Sequence, residues 1–205
     1  MYVHLRIFFL ALLLCLPSVA YAFEKGRADE LCRAIFGGVE WSASIDLEAE
    51  QLASEFLREG RINAIPVICS GTPADHSTIA ASQKRSHGFE TYFFFAFHGE
   101  FRLAIGDELR GVIAHEVAHE VVAPRGPCGK RSSAGSGWSD EEFREYILCE
   151  SRVDRAAAGW VGKQEMIRAL LFTIGHVQRA YGHRDMDGNR LVQGLELRIW
   201  NLERP

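Results

Sequence analysis

Beyond residue 22 the chain has no apolar run long enough to cross a bilayer; the stretches near Ile65, Phe94 and Leu171 are short and interrupted. It has no C-x-x-C pair, so a zinc site held by cysteines has no support in the spacing. It also has no extended block of like charge, and the net charge is −4. These absences argue against an integral membrane protein, a cysteine-held zinc module, and a partner that is nucleic acid or an anionic membrane surface. No internal repeat is visible, and a composition that is 47% hydrophobic can supply the core of one domain.

The first 22 residues read differently. Arg6 gives a positive start, Ile7 to Leu16 is almost wholly apolar, and Ala20-Tyr21-Ala22 offers the small-x-small pattern of a signal-peptidase site. The run is shorter than a spanning helix needs. The expected organisation is therefore a signal peptide over 1–22 and one domain over 23–205, exported to the periplasm or outside the cell, with no stable membrane insertion after cleavage. Loss of Arg6 makes the mature chain one unit more negative.

Once Cys15 leaves with that segment, Cys32, Cys69, Cys128 and Cys149 remain, an even number suited to an oxidising compartment. Four cysteines allow three connectivities, and sequence does not choose among them. Cys32 with Cys69 and Cys128 with Cys149 closes the shortest total loop.

Breakers and caps divide the rest. Ala28 to Phe36 reads as a short helix stopped by Gly37-Gly38, and Leu47, Leu52, Phe56 and Leu57 mark an amphipathic helix ended by Gly60. Ile62 to Cys69 reads as a buried strand. Thr72-Pro73 suits the start of a helix running toward Lys84, with a loop as the alternative, and His76 and His87 read as surface residues. The aromatic run Thr91 to Phe97, the His98-Gly99 turn and the alternating Phe101, Leu103 and Ile105 predict a β-hairpin whose second strand is an edge. A helix follows from Glu108 to about Val122, stopped by Pro124. Gly126 to Trp138 is a Gly- and Ser-rich loop, and Ser139-x-x-Glu142 is a capping box opening a long helix to about Gly159. Helices over Lys163 to Tyr181 and near Leu195 to Leu202 complete an α+β, mainly helical fold. Its small antiparallel sheet is expected to place an edge strand beside the helix of residues 108 to 122.

That helix carries His115-Glu116-Val117-Ala118-His119. Residues i and i+4 share a helix face, so both imidazoles can reach one ion while Glu116 lies on the adjacent flank, free to act as a base. This is the logic of HExxH metallopeptidases. Chance polarity on an exposed helix would give the same letters, but Val112, Ile113, Val117, Ala118 and Val121 put apolar residues on every side. Buried imidazoles and a carboxylate need partners, and a metal supplies one.

A catalytic zinc needs a third protein ligand. Val122 and Arg125 stand where a third-histidine extension would need Gly and His, which excludes that class. Glu150 and Asp154, four apart on a later helix and followed by Ala156 to Ala158, suit a third ligand and an acceptor for the second N–H of a ligating histidine. The ordinary alternative is a solvated acidic face in which Arg152 and Arg155 pair with the two acids.

His115-Glu116-x-x-His119 with Glu150-x-x-x-Asp154 resembles the gluzincin peptidases that include HtpX-like heat-shock proteases and CAAX prenyl endopeptidases. The resemblance runs from about Phe89 to Leu202 and includes Arg198 to Leu202 ("RIWNL"), which is similar to the family's closing RIxxL stretch. It implies one Zn²⁺ held by His115, His119 and Glu150. It also implies hydrolysis of peptide bonds by metal-bound water with Glu116 as general base, and His183 at the position from which a family histidine approaches the metal or the oxyanion, although Arg184 stands where proline is expected. Phe101 to Ile105 would then bind an extended or unfolded protein segment by β-augmentation.

The competing class is a non-catalytic zinc-binding chaperone or assembly module of the periplasm, and a hydrolase of non-peptide substrates would share the same site. Oligomeric state is left open. Asp185 to Asn189 suggests a calcium loop, but its flanking positions lack the ligands, which leaves a polar turn. His176 is expected to pack within its apolar helix.

Overall fold

The aromatic run is a β-strand with both faces covered, which is why it reads as continuous rather than alternating. In the computed structural model, which describes residues 26–36, 41–71, 80–122, 128, 139–181 and 186–204, it is one of the two inner strands of a four-stranded sheet. Residues 26–36 form α1. β1 (Ser42–Ala43), α2 (Leu47–Glu59), β2 (Ile65–Gly71), β3 (Ala80–His87), β4 (Glu90–His98), α3 (Gly99–Ala104), α4 (Leu109–Val122), α5 (Asp140–Val161), α6 (Lys163–Tyr181) and α7 (Met186–Glu203) follow. The expected signal peptide, the Thr72-Pro73 start, His76, His183 and all of the Gly/Ser loop but Cys128 lie outside the described residues.

The sheet order is β1-β2-β4-β3. β2 and β4 run parallel while β1 and β3 pair antiparallel with their neighbours, so the sheet is mixed rather than antiparallel. Phe93, Phe95 and Phe97 face the main helical core. Phe94 and Ala96 point the other way, into a second cluster with Trp41, Cys32 and Cys69. The Cys32–Cys69 disulfide ties α1 to that second face, and Cys128–Cys149 ties the segment after α4 to α5. Each loop closed contributes roughly 3–4 kcal/mol in the chain-entropy picture.

The expected hairpin of Thr91–Phe97 with Phe101–Ile105 does not form; β4 makes its hairpin with the preceding strand, β3. Phe101–Ile105 is not an edge strand: α3 covers Gly99–Ala104. Phe101 and Ile105 are four apart and both buried, while Leu103 is 89% exposed, a pattern that a helical turn satisfies and that a strand, which would put all three on one face, does not. The antiparallel partner of β4 is β3, in the stretch where a helix toward Lys84, or a loop, is the expectation from sequence. Gly88, at φ 63°, begins the two-residue turn between His87 and Glu90, a position favouring glycine. β3 is one of the two edge strands, and it flanks α4: the Ser82 hydroxyl donates to the carbonyl of Glu116 at 3.0 Å, and Lys84 pairs with Glu120.

α4 is buried from Leu109 through Ala118 almost without interruption, with α2, α5, α6 and β3 around it. At Gly111 a Cβ would lie 2.7 Å from that of Ala169, so α4 and α6 approach more closely than an alanine would allow. The capping box at Ser139 and Glu142 is formed in both directions and fixes the start of α5. Ala156 and Ala157 keep α5 narrow where it meets α4, consistent with the packing read from that run. Met186 to Asn189 is not a turn but the first part of α7, which is one long helix rather than a short one. His176 packs as expected, its ring edge-on to Phe101 at 4.9 Å.

Candidate metal centre

α4 and α5 cross so that the predicted residues meet. His115 and His119, one turn apart, lie with ring planes at 86° and Nε2 atoms 3.1 Å apart. Glu150 of α5 places Oε2 3.3 Å from Nε2 of His115 and Oε1 3.7 Å from Nε2 of His119. The ligand atoms of these three residues all fall within 4.8 Å of one another, which makes them a group able to hold a metal ion. Two imidazoles and one carboxylate, nearly buried and converging, form a donor set suited to a divalent metal ion.

Asp154 stands one turn beyond Glu150 and accepts from Nδ1 of His115 at 2.9 Å, the tautomer-fixing contact expected of it. Glu116 is buried on the neighbouring flank of α4, close enough for its charge to act on His119. Thus His115, Glu116, His119, Glu150 and Asp154 are brought together, and His183 lies outside the described residues.

Arg152 and Arg155 do not pair with the two acids; both face solvent. The cation is Arg198 of α7, itself only 7% exposed. It donates from Nε and Nη2 to the two oxygens of Asp154, both at 2.8 Å, and lies 3.3 Å from Glu150 through Nη1. A planar guanidinium matches a carboxylate in this bidentate way. The sequence held a signal for it: Leu195, Arg198 and Leu202 fall at i, i+3 and i+7 on the buried stripe of α7, so a charged residue occupies an apolar position. Tyr146, one turn before Glu150, is a second residue missed from sequence. Burial, and then the charge of Glu150, push its phenol upward, keeping a neutral hydroxyl beside the acids.

Protonation follows from these contacts. Burial disfavours a charged His115, but its hydrogen bonds to Asp154 and Glu150 outweigh that and raise it to about 9. His119 is lowered, by burial and then by the charge on His115, which favours its neutral form. Burial works against ionisation of Glu150, yet Arg198 and the histidines leave it below its ordinary value. A metal ion needs neutral imidazoles, so binding expels the one proton on His115 while His119 and Glu150 contribute none. Zinc affinity is therefore expected to rise about tenfold per pH unit between about pH 6.5 and 8.5, and to level off above about 9. Chelator competition across that range checks the slope, and a flat profile would show His115 to be neutral before the metal arrives.

Comparison of the chain with family models, with curated proteins and with solved structures finds no match.

Proposed function

We propose that this chain is a zinc-dependent endopeptidase of the gluzincin type, exported from the cytoplasm and acting on unfolded or extended protein segments. One observation carries the reading: the ligand atoms of His115, His119 and Glu150 converge within 4.8 Å beside a buried glutamate one residue from His115. A zinc ion held there would act as a Lewis acid and bring the pKa of water to roughly 7. Glu116 is the proton acceptor in this reading, receiving the proton of the attacking water and passing it to the leaving amine. Asp154, fixed by Arg198, keeps Nδ1 of His115 protonated and its Nε2 directed at the shared site.

Substrate capture is assigned to β3. It ends the sheet order and is joined through Ser82 to the backbone of Glu116, so a peptide added along it would run past the catalytic helix. Backbone pairing reads few side chains, which favours unfolded chains over one folded partner. Export rests on the leader-like residues 1–22, and the two disulfides agree with an oxidising compartment. No helix among the described residues is long and apolar enough to cross a membrane.

The experiment is metal analysis joined to hydrolysis of an unfolded casein. One equivalent of zinc, cleavage abolished by a chelator and cleavage restored by zinc are the expected results. Zinc retained by folded protein without cleavage would replace the peptidase with a non-catalytic zinc-binding module. Absence of zinc would remove the site itself.

A further inference from the structure

The two histidines are supported differently. Behind His115 stands a carboxylate, Asp154, at 2.9 Å. Nε2 of His119 is the ring nitrogen that faces Nε2 of His115 and Glu150, so a His119 that ligates through it carries its proton on Nδ1, and the group that meets Nδ1 is Sγ of Cys128 at 3.9 Å. Cys128 is joined to Cys149, and Cys149 directly precedes Glu150. A single covalent bridge therefore reaches two of the three ligands, through space at His119 and through the backbone at Glu150. It is also a covalent link between the chain leaving α4, which holds both histidines, and α5, which holds the glutamate.

Resting on the metal site proposed above, we infer that the Cys128–Cys149 disulfide is a positioning element of that site and makes its metal affinity depend on the oxidation state of the protein. A disulfide sulfur carries no proton and accepts weakly, so the Nδ1–H of His119 can point toward it and Nε2 stays free for the ion. On reduction the sulfurs separate and each gains a hydrogen. Cys128 is then no longer held against His119, and the turn carrying Glu150 loses its tether. Formation runs the other way: the two thiols lose two protons and two electrons to a disulfide-bearing oxidant, which becomes two thiols. The chain thus gains its full metal affinity only where such an oxidant is present. A peptidase made in a reducing compartment and exported would remain weakly metallated until it arrives.

Cys32–Cys69 serves as the internal control, since it lies in the second cluster on the far face of the sheet. The test measures zinc affinity by chelator competition, and the visible spectrum of bound Co²⁺, for the oxidised wild type and for two double variants, Cys128→Ala/Cys149→Ala and Cys32→Ala/Cys69→Ala. Loss of Cys128–Cys149 is expected to weaken zinc about 10–100-fold, the range for removing outer supports of a metal ligand, and to shift the Co²⁺ bands. Loss of Cys32–Cys69 removes a comparable loop constraint and is expected to leave both readouts unchanged. Should the Cys128/Cys149 variant not fold, the wild type is titrated with a phosphine, which takes oxygen from water as it delivers two electrons and two protons to the sulfurs. Alkylation mapping then shows whether metal release follows opening of Cys128–Cys149. Equal affinity in all three proteins, or release that ignores that bond, overturns the inference and leaves the bridge a brace for stability alone. A wild type that binds no metal sinks the site itself, a failure visible in a separate arm.

Discussion

Glu116→Gln is expected to keep its zinc and lose hydrolysis of unfolded protein by about 10²–10⁴-fold, the range for removing a positioned general base. The amide is nearly the same size as the carboxylate, so the buried flank of α4 need not repack. It cannot take a proton from water at neutral pH. The histidines and Glu150 are untouched, so the metal content separates this result from simple loss of the site. The informative comparison is kcat against KM on one peptide: a fall in kcat with KM unchanged identifies an interaction made in the transition state. A variant that cleaves as fast as the wild type would remove Glu116 from the chemistry.

Arg198→Met should give the largest stability effect of a single substitution in this region. Asp154 is fully buried, and both its oxygens accept from the guanidinium, Oδ1 having Nδ1 of His115 as a second donor; Glu150 is nearly as buried and faces the same cation. Removing one partner of such a group leaves charge without compensation, at a cost of about 3–5 kcal/mol. For a chain of this size that corresponds to a fall in Tm of roughly 10 °C. Burial raises Asp154, but the charge and hydrogen bonds of Arg198, with those of His115, more than reverse it, so the acid is ionised in the folded wild type; Arg198→Met removes the largest of these lowering effects, and proton uptake by Asp154 in the variant then limits the loss. Arg198→Lys keeps the charge without the planar fork and should fall between the two. Urea denaturation of metal-free and zinc-loaded protein provides the test, and zinc should recover part of the loss by taking over the charge of Glu150. If Arg198→Met costs less than about 1 kcal/mol, the typical worth of an exposed pair, the buried triad does not govern stability.

The sequence alone determined the elements whose signals are local. The capping box of α5, the apolar surround of α4 and the i, i+4 spacing of His115 with His119 and of Glu150 with Asp154 depend on neighbours a turn away, and all reappear in the structure. The cysteine pairing that closed the shortest total loop is also the one formed. Other features needed the folded chain. Phe101 and Ile105 satisfy a period of two and a step of four equally well, so only packing decided that they lie on a helix and that Ala80–His87 is an edge strand. Parallel pairing of β2 with β4 joins segments distant in sequence and leaves no local mark. Arg198 and Cys128 became part of the site for the same reason: α7 and the segment after α4 reach it only when the helices pack, and burial then turns an ordinary arginine and a disulfide sulfur into neighbours that the ligands cannot exchange for water.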